Sequence, residues 1–166
     1  ARRDVHLRRA QASAIVAGTG TVFADDPSLT ARNEDGTLLP HQPAAVVLGR
    51  RAVPEDAAVR RHPGGFRQLD GIDLDADLQA LWDEGVRSVF VEGGPTVATA
   101  FARAGLVDEY LVYLAPVLTG GDRLAIGDIG VATLGEARRL RLVSADVLGA
   151  DVRILARPER AVPEEG

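Results

Sequence analysis

The sequence predicts a single-domain α/β protein with a mixed, mostly parallel sheet, helices on both faces and a C-terminal antiparallel hairpin. Three observations lead to this prediction. Short apolar runs alternate with segments whose apolar residues recur at helical spacing. Two late segments, 140–148 and 151–156, instead alternate around Gly149 as the strands of a hairpin do. No internal repeat or linker interrupts the 166 residues, so we expect one domain.

The composition is that of an ordinary globular protein and excludes several classes of function. Hydrophobic residues make up 46% and charged residues 26% of the chain, and the net charge of −5 argues against a nucleic-acid partner. No apolar run approaches the roughly 20 residues that cross a bilayer, so we expect no membrane partner. Cysteine is absent, which excludes disulfides and thiolate metal sites and favours a cytoplasmic location. The three histidines lack metal-ligand spacing, so we expect no metal.

The first segments predict a helix, a strand and a loop. Residues 1–11 are rich in Arg and Ala, which favour helix. Arg9 lies with the apolar side of this helix, which predicts a buried-tip arginine with an anionic partner. An apolar strand is expected at 14–17. The Gly/Thr segment 18–23 follows it, lacks the third glycine of a dinucleotide fingerprint and is interpreted as a loop.

The middle of the chain predicts alternating strands and helices. Strands are expected at 44–49 and 109–115, and the acid-first, base-last pattern of 55–62 predicts a short helix. Residues 66–71 are ambiguous. A longer helix is expected after a cap at Asp73 or Asp75 and before Gly85. Its buried stripe would consist of Leu74, Leu78, Leu81 and Trp82.

The most informative stretch is the apolar run Val89–Val91 with the residues that follow it. Glu92, a glycine pair and Pro95 come next, and apolar residues then recur at helical spacing as far as Gly105. This pattern predicts a buried strand, a tight turn and a helix that Pro95 opens. The free N–H groups of Thr96, Val97 and Ala98 would suit phosphate or pyrophosphate, and the glycines would let a ligand approach. A tight connection without a ligand is the alternative.

The remaining polar residues predict binding of anions rather than nucleophilic catalysis. Arg50 and Arg51 follow a strand at the sheet edge where α/β proteins bind ligands, although a solvated basic turn is the more frequent case. No nucleophile elbow or Walker loop is present in the sequence. The pattern therefore suits two anionic ligands, with a cofactor carrying the reaction.

Several of these motifs together resemble a known family, the reductase domain of bifunctional riboflavin-biosynthesis proteins. The resemblance runs from about Ala1 to Arg157. It rests on Arg9-Ala10-Gln11, on Gly20–Pro27 with Leu29, Thr30 and Arg32, on Val91–Thr96, on Ala104–Glu109 and on Ala115-Pro116. It implies a dihydrofolate-reductase-like fold. It also implies NADPH-dependent reduction of the ribose of 5-amino-6-(5-phosphoribosylamino)uracil to a ribityl chain.

The resemblance also implies roles for individual residues. The residues that would bind the phosphorylated pyrimidine substrate are Arg9, Leu29, Arg32 and Glu92. Those that would bind NADPH are Thr21, Asp25, Gly94, Pro95, Thr96, Val97, Ala98 and Thr99. To these we add Arg50 as a candidate for the 2′-phosphate of NADPH. No proton donor is assigned, since Glu92 and water both remain open.

The family pattern further implies segments outside this sequence. We expect a reductase domain over 1–157 whose N-terminal strand is missing, a flexible tail at 158–166 and a fused zinc deaminase domain upstream. The strand at 109–115 suggests a homodimer. Two alternatives stay open. One is a reductase of the same fold for the non-deaminated diaminopyrimidine or a pteridine, and the other is a non-catalytic dinucleotide-binding or dimerisation remnant.

Overall fold

The computed structural model describes residues 1–120 and 124–159, and in these residues the strands form two sheets. The strands are β1 (Ala14–Gly18), β2 (Ala44–Leu48), β3 (Phe66–Leu69), β4 (Val89–Val91), β5 (Tyr110–Leu114), β6 (Leu140–Leu148) and β7 (Asp151–Pro158). The helices are α1 (Arg2–Gln11), α2 (Thr19–Asp25), α3 (Leu74–Asp83) and α4 (Pro95–Ala104), with 3₁₀ turns at Ala58–Arg61 and Leu134–Glu136.

The first sheet has four parallel strands in the order β3-β2-β1-β4. Every residue of β1 is buried, as expected for a central strand covered on both faces. Because the strands are parallel, their carboxyl ends share one edge of the sheet. The turns that follow β1, β2 and β4 therefore meet at that edge.

The second sheet is antiparallel, in the order β5-β7-β6. It contains the predicted hairpin, with Gly149 in the turn at φ +68° and a register shift between Leu142 and Ser144. The α/β fold class with a C-terminal hairpin is thus confirmed. The expected mixed sheet is divided in two, because β4 and β5 do not pair with each other in the described residues.

Two apolar layers cover the faces of the parallel sheet. On one face, Val16 and Val46 pack against the inner sides of α3 and α4, including Leu81 and Phe101. On the other face, a second buried cluster contains residues of β1 and β2 together with Val22 of α2 and side chains of the following loops. Helical segments therefore lie on both faces, as the sequence predicted.

A network of polar side chains connects α1 to the antiparallel sheet. Asp4 accepts hydrogen bonds from the Tyr113 hydroxyl at 2.6 Å and from Arg153 Nη1 at 2.8 Å. Arg153 Nη2 also donates to Asp146 at 2.7 Å. Burial alone would raise the pKa of Asp4, but the bonds from Tyr113 and Arg153 hold it below its ordinary value. Burial and the Asp4 carboxylate raise the pKa of Tyr113.

Three expectations about local structure are wrong, and one segment that was ambiguous in the sequence is resolved. Segment 18–23, expected to be a loop, lies largely in α2, where burial of Val22 outweighs the weak helix propensity of Gly and Thr. The helix expected at 55–62 is only the 3₁₀ turn, and the ambiguous segment 66–71 contains β3. Trp82 is not in the buried stripe of α3: it is 53% exposed, and the Arg87 guanidinium lies 4.0 Å from its ring centroid.

The cap of α3 is Asp73, which accepts a hydrogen bond from the Ala76 N–H at 3.0 Å. Residues 160–166 of the expected tail lie outside the described residues, whereas Pro158 still belongs to β7. The strand expected before Ala1 stays a prediction. None of the helices in the described residues has the length and apolar character needed to cross a bilayer. These residues also contain no group of three or more acidic or histidine side chains placed to hold a metal.

Candidate functional site

Glu92 and Arg9 form an ion pair at the carboxyl edge of the parallel sheet. The Glu92 N–H donates to the Val16 carbonyl at 2.8 Å, which fixes Glu92 directly after β4. Arg9 Nε donates to Oε1 of Glu92 at 2.8 Å and Arg9 Nη2 to Oε2 at 2.5 Å. The side chains are 17% and 20% exposed. The predicted anionic partner of Arg9 is therefore Glu92, held in a bidentate geometry.

Thr30 connects this ion pair to Arg32. The remaining terminal nitrogen of Arg9, Nη1, donates to the Thr30 carbonyl at 2.9 Å. Arg32 Nε donates to the hydroxyl of Thr30 at 2.9 Å, and Arg32 Nη1 donates to the Gly36 carbonyl at 2.8 Å. The structure thus brings together three of the four residues predicted to bind substrate.

Leu29, the fourth, contributes backbone conformation rather than an exposed side chain. Its side chain is 3% exposed and packs in the core beside β1 and β2. Its φ of +54° lies in the left-handed region, which non-glycine residues seldom adopt. Such strain clusters at functional sites, where the surrounding structure enforces it. A buried leucine side chain in this conformation anchors the 28–32 loop against the core.

Two histidines adjoin the cluster, and no sequence pattern pointed to either. His6 Nδ1 accepts a hydrogen bond from the Arg32 N–H at 3.3 Å. Burial, followed by the charge of Arg9, lowers the pKa of His6. Burial likewise lowers the pKa of His62, which is 6% exposed; the Leu29 backbone partly opposes this shift, and the charge of Arg9 adds to it. The two histidines are far apart in the sequence, so only the fold shows that both lie near Arg9.

The start of α4 offers two free amide groups rather than the expected three. Gly94 is the N-cap and Pro95 the first helical residue. The Ala98 N–H already donates to the Gly94 carbonyl at 3.1 Å, because Ala98 is far enough into the helix to make the first i to i−4 bond. The N–H groups of Thr96 and Val97 make no hydrogen bond within the described residues. These two N–H groups, with the helix dipole behind them, are available to an anion.

The two glycines of the turn, Gly93 and Gly94, have different structural roles. A Cβ on Gly93 would lie 2.4 Å from Val97 Cβ, so Gly93 is required by the packing of the protein itself. A Cβ on Gly94 would meet only Thr21 Oγ1, at 3.8 Å, so the space above Gly94 is open. Only Gly94 therefore leaves the backbone accessible, and it does so beside the free amides. This open, donor-lined turn fits a pyrophosphate.

Among the other residues predicted to bind cofactor, Thr21 lies beside this turn. Thr21 lies across from Gly94, and Asp25 follows one turn later on α2. Arg50 is exposed just after β2 and makes no ion pair or side-chain hydrogen bond within the described residues. Thr99 has a structural contact, because its hydroxyl accepts a hydrogen bond from the Gly127 N–H at 2.7 Å. The structure thus brings Thr21 to the start of α4 and places Arg50 after β2, at the carboxyl edge of the parallel sheet.

Comparison with known proteins finds a matching family model and several relatives. The family model described as "RibD C-terminal domain" matches residues 1–154. The chain is 45% identical over 152 residues to riboflavin biosynthesis protein RibD of Mycobacterium tuberculosis, covering 92% of this chain and 44% of that protein. It is 30% identical over 179 residues to 2,5-diamino-6-ribosylamino-4(3H)-pyrimidinone 5′-phosphate reductase of Methanothermobacter thermautotrophicus, covering 90% of this chain and 82% of that protein.

Solved structures agree with these relatives. RibD of Acinetobacter baumannii superposes with a TM-score of 0.84 at 29% identity, covering 96% of this chain and 50% of the other. Dihydrofolate reductase of Enterococcus faecalis superposes with a TM-score of 0.52 at 14% identity over 96% of this chain and 83% of its own, a likeness of fold alone. The expected dihydrofolate-reductase-like fold is confirmed. The chain spans about half the length of the RibD proteins that it matches.

The Arg9–Glu92 geometry predicts strong energetic coupling between the two side chains. In a double-mutant cycle of Arg9→Gln and Glu92→Gln, we expect a coupling free energy of unfolding of about 1–3 kcal/mol. The reason is that either single change leaves a partly buried charge without its partner. The coupling free energy is obtained from urea denaturation of the wild type, the two single variants and the double variant.

The exposed Arg67–Glu84 pair is the matched control. Both side chains are 44% exposed, so solvent screens their attraction. The same cycle at this pair should give about 0–1 kcal/mol. Equal coupling at the two pairs would contradict the role assigned to burial.

Proposed function

This chain belongs to the RibD C-terminal domain family, and from this premise we propose that it is an NADPH-dependent reductase of riboflavin biosynthesis. Its substrate would be 5-amino-6-(5-phosphoribosylamino)uracil, whose ribosyl group becomes a ribityl chain. One observation carries the proposal. The Glu92 carboxylate and the free amides at the start of α4 belong to one turn, so a polar substrate and an anionic cofactor would meet there.

The names of the relatives support a reductase but do not decide which pyrimidine is its substrate. The relative from Methanothermobacter thermautotrophicus, most of whose length this chain covers, is named as a reductase of a diaminopyrimidinone phosphate. The non-deaminated pyrimidine is therefore the competing substrate. Because this chain spans half of each RibD relative, we also propose a fused deaminase domain in the complete protein. A location in the cytoplasm is proposed from the absence of cysteine.

NADPH would lie along the carboxyl edge of the parallel sheet. The N–H groups of Thr96 and Val97 would donate to its pyrophosphate, with Gly94 leaving room for the phosphate oxygens. Thr21 would approach from α2, and Arg50 would pair with the 2′-phosphate. Pro95, Ala98 and Thr99 would shape this helix start, and Asp25 would contact the cofactor from α2. When bound, NADPH supplies a hydride to the opened sugar.

Glu92 would hold the sugar while Arg9 holds Glu92. A carboxylate has about four lone-pair sites, and Arg9 uses two of them. The other two can accept hydrogen bonds from hydroxyl or amino groups of the substrate. Because both oxygens already accept charge-assisted bonds, Glu92 is suited to accept hydrogen bonds, and we assign the proton that completes reduction to water.

Glu92→Gln tests this assignment. We expect the variant to lose about 10²-fold or more in kcat/KM for the pyrimidine, because an amide cannot accept the same bonds while paired with Arg9. The dissociation constant of NADPH, measured by the fluorescence of the cofactor, should stay within about threefold of the wild-type value. Activity is measured both with this chain and with the full-length gene product.

Glu84→Gln, in the exposed pair, is the matched control and should leave both quantities unchanged. Equal loss of NADPH binding and substrate use in Glu92→Gln would contradict the role of Glu92. Comparing rates on the deaminated and non-deaminated pyrimidines identifies the substrate. NADPH binding without turnover on either, in the full-length protein, would establish the non-catalytic alternative.

Arg50→Ala tests the 2′-phosphate assignment. Removal of the guanidinium should reduce the preference for NADPH over NADH by about tenfold, through weaker NADPH binding alone. The measurement is the ratio of the two dissociation constants. Arg87→Ala removes an equal charge at the opposite end of β4 and should leave the ratio unchanged. An unchanged ratio in Arg50→Ala would remove this residue from the cofactor site.

We also propose a homodimer formed through the antiparallel sheet. Its strands expose several apolar side chains, among them Leu114 at 51%, Leu142 at 60% and Val147 at 76%. Exposed apolar side chains on one sheet favour an interaction site. Sedimentation equilibrium of the wild type should give twice the monomer mass. The double variant Leu142→Glu, Val147→Glu should give the monomer mass. A wild-type monomer at micromolar concentration would refute this proposal.

A further inference from the structure

Helix α1 has little apolar attachment to the rest of the protein. None of its residues is fully buried, and neither apolar cluster of the core contains a residue of this helix. Polar side chains that bond outside the helix therefore have a large share in its position. Two of them, Asp4 and Arg9, bond to residues of different sheets.

Asp4 anchors α1 to the antiparallel sheet. Its Oδ2 accepts a hydrogen bond from the Tyr113 hydroxyl at 2.6 Å, and its Oδ1 accepts one from Arg153 Nη1 at 2.8 Å. Tyr113 of β5 and Arg153 of β7 are direct partners across the two strands, so their side chains lie on the same face of the sheet. Backbone pairing thus holds both donors in place, and Asp4 bonds to a fixed pair of groups.

Arg9 is the anchor on the side of the parallel sheet. It lies five residues after Asp4, which in an α-helix corresponds to about 7.5 Å along the axis and about 140° around it. Because the two side chains leave α1 in different directions, together they fix its rotation and its position along the axis. Arg9 Nε and Nη2 donate to the two oxygens of Glu92. The position of α1 therefore decides where Arg9 holds this carboxylate.

We propose that Asp4 is a positioning residue for the reduction, which acts on the substrate through Arg9 and Glu92. The inference rests on the proposed function for the reaction that it affects. Asp4 keeps α1 in place, so that Arg9 directs the free lone pairs of Glu92 toward the sugar. Without this anchor α1 can shift, and a misplacement of about 1 Å in a binding group is enough to weaken its action strongly. The groups proposed to bind NADPH lie outside α1, so cofactor binding does not depend on Asp4.

Asp4→Ala removes the anchor and leaves a good helix former in its place. In the full-length gene product we expect KM for the pyrimidine to rise about tenfold, because Glu92 holds the sugar in the ground state and the transition state alike. Both kcat and the dissociation constant of NADPH should stay within about twofold. A defect in folding alone would instead lower the apparent kcat, through a smaller active fraction, and leave KM unchanged.

Two further variants grade and control this result. Tyr113→Phe keeps the ion pair of Asp4 with Arg153 and removes one hydrogen bond, so KM should rise about fourfold, and this variant decides the inference if Asp4→Ala does not fold. Asp146→Ala is the matched control. Asp146 also accepts a bond from Arg153, at 2.7 Å, but it lies on β6 and its loss leaves both bonds of Asp4 in place. Its KM should stay within about twofold. An equal rise in this control would overturn the inference in favour of a general loosening of the sheet.

A double-mutant cycle tests whether Asp4 acts through Glu92. In the Glu92→Gln background, Asp4→Ala should change kcat/KM by no more than about twofold, because the carboxylate that it positions is absent. The same tenfold loss in both backgrounds would show that Asp4 acts independently of Glu92 and would refute the inference.

Exchange of the Arg9 Nε–H with water, followed by NMR of ¹⁵N-labelled protein, reports on the same geometry without turnover. This group donates to Glu92, so its exchange should be about tenfold faster in Asp4→Ala and unchanged in Asp146→Ala. A raised KM without faster exchange, or faster exchange without a raised KM, contradicts positioning through Arg9. Absence of turnover in the wild type refutes the proposed function alone, and the exchange rates then still decide whether Asp4 positions Arg9. Normal wild-type turnover, with KM and exchange unchanged in Asp4→Ala and Tyr113→Phe, refutes the inference alone.

Discussion

The Arg9–Glu92 ion pair is the interaction on which the candidate site depends. It joins the last turn of α1 to the residue that follows β4, across 83 positions of sequence. Partial burial of two charges costs several kcal/mol each unless they are paired and hydrogen-bonded. Here every oxygen of the carboxylate and three nitrogens of the guanidinium have partners. The pair therefore fixes the direction of the Glu92 carboxylate before any ligand binds.

Parallel strand order explains why the two ligand regions are neighbours. The turns after β1, β2 and β4 open at one edge because all three strands run in the same direction. Gly93 lets Val97 pack against the turn, and Gly94 leaves the amides of α4 open immediately beside Glu92. One short turn thus holds an acceptor for a sugar and donors for a phosphate. A dinucleotide and a polar substrate would be adjacent there without any large movement of the chain.

Helix α1 forms hydrogen bonds to both sheets, which share no strand pairing in the described residues. At one end of this helix Asp4 bonds to Tyr113 and Arg153 of the antiparallel sheet. At the other end Arg9 bonds to Glu92 of the parallel sheet. The helix has no buried residues of its own, so these polar contacts carry much of its attachment. Disturbing the antiparallel sheet would therefore act on Glu92 through the position of α1.

Local pattern determined most of the framework of this protein: the strand, turn and helix around Glu92, the hairpin around Gly149, and the end of α3 before Gly85. Each follows from spacing or turn chemistry within about ten residues, which is why the sequence alone predicts it. Tertiary structure decided the rest. The helical state of 18–23 and the exposure of Trp82 depend on what packs nearby, as does the partner of Arg9. His62 shows the limit most clearly, because its side chain is buried only when loops that are distant in sequence close around it.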